Sequence, residues 1–284
     1  MIQEHEIPTG SRLYFQKSAR IKREIETISA NTLEKLGYAE IVTPYFSYHQ
    51  DKTFARNKLL FFSDKNNNTL YLRADTTVDL ARLITKRLGR SVDQKKWFYI
   101  QPVFTYPSNE IYQIGCENLQ NSDLSKTLKD SIELLNEIKA TPILQISNIQ
   151  IPKILSKLLD LDIEIFKSSN IQKLLDLNLE WLNKLTNLQD IKQIEEILDI
   201  VPLQIQDELK KIQSLCHDIS YENIVIAPLY YAKMNYYDGL FFRYIKDNEL
   251  LGLGGAYNYE DVEATGFAIY VDKIIEEKIK DEQS

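Results

Sequence analysis

The sequence is poor in residues that support several common kinds of protein chemistry. It has only two cysteines, Cys116 and Cys216, which are too few for a disulfide framework and lack the paired spacing of a zinc site. The three histidines are scattered, and none lies in a metalloprotease or nucleophile motif. No glycine pattern matches a P-loop or a dinucleotide-binding loop. We therefore expect two buried thiols, no metal and no cofactor.

An excess of positive charge and long hydrophobic runs are also lacking. The 34 Lys and Arg are outnumbered by 41 Asp and Glu, which gives a net charge of −7. Proteins that coat nucleic acid depend on a basic field, so nucleic acid is not an expected partner. No apolar run approaches the ~18 residues of a membrane span, and the polar N-terminal residues do not resemble a signal peptide. These features predict a cytoplasmic protein without a membrane partner.

Hydrophobic periodicity predicts a chain that mixes helices and strands. Apolar residues recur at helical spacing from Leu13 to Leu36, between a predicted N-cap at Ser11 and a predicted C-cap at Gly37. The remaining pattern predicts a short strand at 40–46, a hairpin at 54–73, a helix at 76–88, strands at 97–104 and 111–119, a helix at 123–139, strands at 142–149, 223–231, 237–246, 250–254 and 264–271, and a helix at 272–280.

The segment 151–216 differs from the rest because it contains no glycine and is rich in Leu, Ile, Lys, Asp and Gln. This composition predicts several short helices. We interpret it as a helical insertion at about 151–220 in a single domain of residues 1–284; an ordinary helical layer over the sheet is the alternative. Strands on both sides of the segment must pair non-locally, which indicates an α+β fold with a mixed, mainly antiparallel sheet flanked by helices.

Several segments, in a fixed order, carry a family resemblance. Residues 11–44 resemble motif 1 of class II aminoacyl-tRNA synthetases, the helix, strand and proline unit of their dimer interface. Residues 72–77 resemble the histidyl-tRNA synthetase segment that holds the amino group of the substrate. Residues 98–119 resemble motif 2 and the start of the histidine pocket.

The C-terminal part continues the same order. Residues 234–239 and 252–257 resemble the two histidine-specific motifs, and residues 266–273 resemble motif 3. The resemblance to the catalytic domain of histidyl-tRNA synthetases therefore spans most of residues 7–276. It implies a class II synthetase fold and a homodimer formed through the segment from Tyr14 to Pro44.

Departures from the family motifs argue against synthetase activity. Arginines that bind ATP or the adenylate in the synthetases correspond here to Thr105, Lys273 and Ala232, and a glycine of motif 3 corresponds to Tyr270. Adenylyl transfer depends on cationic groups that stabilise developing charge. The motif 2 loop is also short, and no anticodon-binding domain is expected after motif 3. We expect no catalytic residues.

The amino-acid pocket of the family is better kept. The resemblance assigns Asp75 and Thr77 to the ammonium group of histidine, and Gln113 to its carboxylate or amino end. It places Glu117 and tyrosines around the imidazole, whose two ring nitrogens an acid and a phenol can bind. The tyrosines of this predicted histidine-binding set are Tyr236, Tyr237 and Tyr257.

A histidyl-synthetase-like chain that keeps this pocket resembles the regulatory subunits of short-form ATP phosphoribosyltransferase. The resemblance implies a subunit without catalysis of its own, which associates with the short catalytic subunit in the first step of histidine biosynthesis and lets histidine inhibit it. Two alternatives remain open. The chain could be an amino-acid-activating enzyme that uses Lys273 and Arg243 as phosphate ligands, or a structural scaffold with a vestigial pocket.

Overall fold

The structure is a computed structural model that describes residues 6–49, 55–88, 91–232, 237–259 and 262–281. Its elements in chain order are α1 (Gln16–Lys35), β1 (Ala39–Glu40), β2 (Phe46–Ser47), β3 (Phe61–Ser63), β4 (Thr69–Leu72), α2 (Thr76–Leu83), β5 (Lys96–Thr105), β6 (Asn109–Leu119), α3 (Leu124–Glu137), β7 (Ile143–Asn148), α4 (Gln150–Leu158), α5 (Glu164–Lys167), α6 (Gln172–Leu175), α7 (Glu180–Thr186), α8 (Ile191–Ile197), α9 (Leu203–His217), β8 (Ile224–Ile226), β9 (Tyr237–Lys246), β10 (Glu249–Tyr259), β11 (Val262–Tyr270) and α10 (Val271–Asp281).

The chain divides into two compact units. Unit 1 comprises Met1–Gln120, Glu133–Ala140 and Ala268–Ser284, and unit 2 comprises Asn121–Ile132 and Thr141–Phe267. Helix α3 and strand β11 contribute residues to both. The elements follow the predicted order, including the short helices α4 to α9 in the glycine-free segment.

Helix α1 of unit 1 confirms the predicted amphipathic helix but corrects its start. The helix begins at Gln16, and the hydroxyl of Ser18 accepts the N–H of Phe15 at 3.0 Å. Ser11 is therefore not the N-cap; it lies in a turn where its N–H donates to the carbonyl of Pro8. The end is as predicted, because Gly37 has a φ of +84° just after the last turn, a conformation that favours glycine.

The predicted strand at 40–46 is wrong as a single strand. Its residues instead contribute to β1, which pairs in parallel with β5, and to β2, which pairs with β4 in a separate sheet. Between them, the N–H and the carbonyl of Thr43 are both bonded to the side-chain amide of Gln101. Pro44 has no N–H to donate, so neither residue can extend a ladder.

Two antiparallel hairpins contribute most of the strands of unit 1. Strands β5 and β6 pair from Lys96 opposite Asn118 to Thr105 opposite Asn109. Strands β3 and β4 pair around a turn in which the carboxylate of Asp64 accepts backbone N–H groups. The strand orders are β1-β5-β6 in the larger sheet and β2-β4-β3 in the smaller one. Both hairpins confirm the sequence predictions. The predicted start of the β3–β4 hairpin, Phe54, lies outside the described residues.

Unit 2 combines a sheet with helices. Its strand order is β11-β10-β9-β7-β8, in which β7 pairs antiparallel with β9 and in parallel with β8. Strand β10 continues to Tyr259, five residues beyond the predicted end, because it pairs with β9 through a register shift as far as Tyr257 opposite Tyr237. Unit 2 also contains a buried pair of hydroxyl groups, because the hydroxyl oxygens of Ser131 and Tyr244 lie 2.6 Å apart.

The observed elements confirm the predicted fold class. Both units combine helices with strands, and most strand pairs are antiparallel, with parallel pairing of β1 with β5 and of β7 with β8. The cysteines Cys116 and Cys216 are buried free thiols, as expected. No helix within the described part of the chain is long and apolar enough to cross a membrane.

Candidate functional site

The N-terminus of α2 forms one part of the candidate site, in unit 1. Asp75 has an extended backbone and caps the helix: its carboxylate accepts the N–H of Thr77 at 2.7 Å and that of Val78 at 3.4 Å. A carboxylate at this position binds helix N–H groups that have no partner within the helix. The cap fixes the chain direction at Asp75 and thereby the position of Thr77, and both side chains are buried.

Glu117 on strand β6 is the charged centre of this cluster. It has no solvent exposure, and the hydroxyl of Thr77 donates to its Oε1 at 2.6 Å. A buried carboxylate is costly unless hydrogen bonds compensate it, and a short bond to an ionised acceptor is among the stronger ones. The structure thus brings Asp75, Thr77 and Glu117 together. The hydroxyl of Thr77 bonds to the carboxylate assigned to the imidazole, and its contact with the ammonium group of histidine remains a prediction.

Gln113 lies on the same strand face but away from the carboxylate. It is four residues before Glu117, so the two side chains share a face and their backbones are separated by about 13 Å. Gln113 is half-buried and pairs with Gln101 of β5. The structure therefore places Gln113 in the same sheet as Glu117 but not in contact with it.

The predicted tyrosines lie in unit 2. Tyr237 and Tyr257 are directly opposite each other on β9 and β10, and both are buried. The ring of Tyr237 stacks on Phe241 with centroids 5.9 Å apart, and a Cβ on Gly255 would lie 2.7 Å from the Tyr237 ring. Gly255 is therefore required for this close approach. Tyr236, the third predicted tyrosine, lies outside the described residues.

Two buried residues that bind Thr43 were not identified in the sequence. Arg73, which is buried, donates to the hydroxyl of Thr43 at 2.7 Å and to the carbonyls of Thr43 and Pro102. Burial lowers the pKa of its guanidinium, because the charged form loses hydration. Gln101 binds the other side of Thr43. Arg73 lies within the recognised segment 72–77 and Gln101 within the segment 98–119, but the sequence indicated no role for either residue.

A third residue missed in the sequence is Tyr99 on strand β5. It is 1% exposed, and it lies opposite Gly115 of β6, where a Cβ would be 2.0 Å from its ring. Burial raises its pKa well above the usual value, and the negative charges of Glu117 and Asp75 add to the shift, so the phenol stays protonated. Its sequence context, an aromatic residue in a strand, is too common to indicate a site.

The positions that correspond to synthetase arginines hold other contacts. Thr105 accepts a hydrogen bond from the amide of Asn109 at 3.4 Å, Ala232 is buried, and Lys273 forms an ion pair with Glu276 at 3.3 Å. Burial raises the pKa of Tyr270, and the charge of Asp75 contributes. That these substitutions remove ATP binding remains a prediction.

Arg243, the other cation of the enzyme alternative, has structural contacts within unit 2. Its guanidinium donates to Gln145 at 2.7 Å and lies 3.6 Å from the ring centroid of Tyr230. These contacts hold the planar group against a ring and an amide, and they do not favour its use as a phosphate ligand. His49 and His217 are exposed. Among the described residues, no group of three or more His, Cys, Asp or Glu could hold a metal ion.

Comparisons with known proteins agree with the predicted resemblance. The family model for histidyl-tRNA synthetase matches residues 12–274. The chain is 43% identical over 282 residues to an ATP phosphoribosyltransferase regulatory subunit from Wolinella succinogenes, with 99% of this chain and 98% of that protein covered.

Solved structures show the same fold. One is an ATP phosphoribosyltransferase regulatory subunit/histidyl-tRNA synthetase from Bacillus halodurans, with a TM-score of 0.85 at 20% identity, covering 97% of this chain and 83% of that chain. Another is a chain of the ATP phosphoribosyltransferase (HisG:HisZ) complex from Thermotoga maritima, with a TM-score of 0.67 at 17% identity, covering 88% and 97%. The chain belongs to the ATP phosphoribosyltransferase regulatory subunits, a family with the fold of the histidyl-tRNA synthetases.

Proposed function

We propose that this chain associates with a short ATP phosphoribosyltransferase catalytic subunit, supports its activity and makes that activity sensitive to histidine. The observation that carries the proposal is the 43% identity to a named regulatory subunit over nearly the full length of both proteins. The similar Thermotoga maritima structure is named as a HisG:HisZ complex of ATP phosphoribosyltransferase, which supports the same association. A cytoplasmic location remains part of this proposal.

Association is tested by co-purifying the full chain with the short catalytic subunit and assaying the mixture with and without histidine. We expect a complex whose activity requires this chain and falls when histidine is added. If histidine binds one state of the complex better, it must shift the population towards that state. Failure to associate would contradict the proposal, and amino-acid-dependent pyrophosphate exchange would then test the enzyme alternative.

Histidine is proposed to bind through the residues assigned by resemblance. The unit 1 cluster supports this assignment, because it buries a carboxylate beside a helix N-terminus capped by a second carboxylate. Two acids suit a ligand that carries an ammonium group and an imidazole N–H. The proposed set is the one predicted from the sequence: Asp75, Thr77, Gln113, Glu117, Tyr236, Tyr237 and Tyr257.

The variant Glu117→Gln tests this assignment with little change in volume. Its amide keeps one acceptor oxygen, replaces the other with a donor and has no charge, so we expect histidine affinity in the complex to fall at least ten-fold, the effect of losing one charge-assisted bond. Calorimetry measures the affinity, and Glu110→Gln, at the other end of the β5–β6 hairpin, is the control. Unchanged affinity in Glu117→Gln would reject the site.

A homodimer is proposed through the segment from Tyr14 to Pro44. Large apolar side chains in this segment are exposed: Phe15 is 65% and Val42 is 75% exposed. The exposed Tyr45 and Phe46 continue the apolar surface into β2. A two-fold axis lets one patch cover its own copy. Light scattering should give a dimer, and Val42→Asp should give a monomer with an unchanged circular dichroism spectrum; a monomeric wild-type chain would contradict the proposal.

A further inference from the structure

A cavity in unit 2 lies between the short helices α5 and α6 and the strand β8. Its volume is about 240 Å³. Its most buried lining residues are Phe166, Leu174, Leu188 and Ile226, each at most 3% exposed. Protein interiors contain few voids larger than a water molecule, and an engineered apolar cavity of ~150 Å³ binds benzene. This cavity is therefore large enough for a small aromatic ring system.

The polar side chains that line the cavity are uncharged. They belong to Ser169, Asn170, Thr186 and Gln189, and no Asp, Glu, Lys or Arg among the described residues lines it. Ser169, Asn170 and Gln189 are exposed, so they mark the mouth of the cavity. Burial of a charge without a partner is costly. The lining therefore favours an uncharged ligand whose polar group can bond to an amide or a hydroxyl at the mouth.

The edge of the sheet beside the cavity is already paired at Ile226. Strand β8 is at the end of the strand order, and an edge strand can accept an extended peptide as a further strand. Here the N–H of Ile226 donates to the backbone carbonyl of Gln189 at 2.8 Å. A peptide that paired along β8 would have to break this bond beside the cavity, which favours a free small molecule as the occupant.

We propose that this cavity is a second ligand site, which binds a small uncharged molecule with one or two fused aromatic rings and one hydrogen-bonding group. The rings lie against Phe166, Leu174 and Ile226, and the polar group faces Asn170 and Gln189 at the mouth. The site differs from the proposed histidine site, because histidine carries an ammonium and a carboxylate group for which this lining has no charged partner. The inference does not depend on the proposed function.

The test uses indole, which has two fused rings, one N–H and no charge. Calorimetry measures its binding to the full chain, and we expect a Kd below about 1 mM. Indole-2-carboxylate is the charged comparison, since its carboxylate is attached directly to the ring system. We expect it to bind at least ~10-fold more weakly, because the cavity would have to accept an unpaired charge.

Two exposed residues distinguish the cavity from the surrounding surface. Ile171 lines the cavity and is 45% exposed, whereas Leu177 is 38% exposed and is not a lining residue. Ile171→Ser should weaken indole binding about five-fold through lost apolar contact, and the matched control Leu177→Ser should leave it unchanged. Ala227→Leu adds volume to the lining and should abolish measurable binding; if that variant does not fold, the two serine variants decide.

Each outcome supports or overturns the proposal. Indole binding with a Kd above about 1 mM, equal binding of the carboxylate, or an equal loss in both serine variants would overturn it. Addition of the catalytic subunit tests the other occupant: if it displaces indole, the cavity receives a side chain of the partner and the free ligand is rejected. A catalytic subunit that does not associate, or a complex that histidine does not inhibit, would instead contradict the proposed function while indole binding to the chain stands.

Discussion

Each unit buries a tyrosine and a side-chain hydroxyl, but the two hydroxyls donate to different acceptors. In unit 1, where Tyr99 is buried, the hydroxyl of Thr77 donates to the Glu117 carboxylate. In unit 2, Tyr244 is bonded to Ser131, which donates to the backbone carbonyl of Leu128 at 2.7 Å. Both phenols are almost completely buried, with 1% and 0% exposure.

The difference shows how the acceptor of a buried hydroxyl can indicate a site. The carbonyl of Leu128 belongs to helix α3, so the bonds to Ser131 satisfy polar groups and stabilise the core. Glu117 is an acid with no solvent exposure, and its burial has a cost that core packing does not require. Only the unit 1 arrangement therefore needs an explanation beyond stability, and the predictions below separate the two.

The largest effect on stability is expected at Gly115, which lies opposite Tyr99 in the β5–β6 hairpin. Gly115→Ala places a Cβ within 2.0 Å of the Tyr99 ring, so the ring or the strand must move, and we expect the free energy of unfolding to fall by about 3 kcal/mol. Histidine affinity should fall as well, because Gly115 lies two residues before Glu117 on the same face of β6. Denaturant unfolding and calorimetry measure the two effects.

Gly239→Ala is the control for this change in the other unit. A Cβ there meets nothing within 4 Å, so we expect the free energy of unfolding to change by less than about 1 kcal/mol. If both alanine variants unfold at the same denaturant concentration as the wild type, the ring contact does not constrain unit 1 and the comparison fails.

A smaller effect on the free energy of unfolding is expected from removing the hydroxyl of Thr77 in unit 1 or that of Ser131 in unit 2. Thr77→Val takes a donor from a buried carboxylate, and we expect a loss of about 2 kcal/mol in the free energy of unfolding. Ser131→Ala takes one neutral partner from Tyr244, with an expected loss of about 1 kcal/mol. Urea unfolding of the two variants measures the difference. A larger loss in Ser131→Ala would mean that the charge on Glu117 does not distinguish the units.

Much of the fold could be predicted from the sequence because its signals are local. The helical spacing in α1 and the turn residues around Asp64 each determine structure within a few residues. The failures concern long-range bonds. Pro44 is a local signal for a break between β1 and β2, but nothing near Thr43 in the sequence shows that its backbone binds Gln101, 58 residues away.

The candidate site shows the same limit. Asp75, Thr77 and Glu117 could be placed by family motifs, and the structure brings them together. The role of the Thr77 hydroxyl could not, because the bond joins residues 40 positions apart. Tyr99 has no local signal of any kind; only the register of β5 against Gly115 identifies it.

The smallest effect is expected at Asp64, a partly exposed carboxylate of unit 1 that, unlike Glu117, water can reach. The pKa of Asp64 is lowered to about 2, chiefly by the amide of Asn68 and also by backbone N–H groups and the hydroxyl of Tyr48. Since the pKa in the folded state is below that of the unfolded chain, Asp64 stabilises the fold above about pH 4 and loses this contribution as the pH falls towards about 2. Asp64→Asn should therefore unfold at a lower urea concentration than the wild type at about pH 6, with the gap narrowing at about pH 3. Asp199→Asn, at an exposed position in unit 2, controls for the loss of one negative charge. If the difference in urea midpoint between wild type and Asp64→Asn stays constant with pH, the turn does not depend on the charge of Asp64. The contrast with the buried Glu117 would then not be explained by burial.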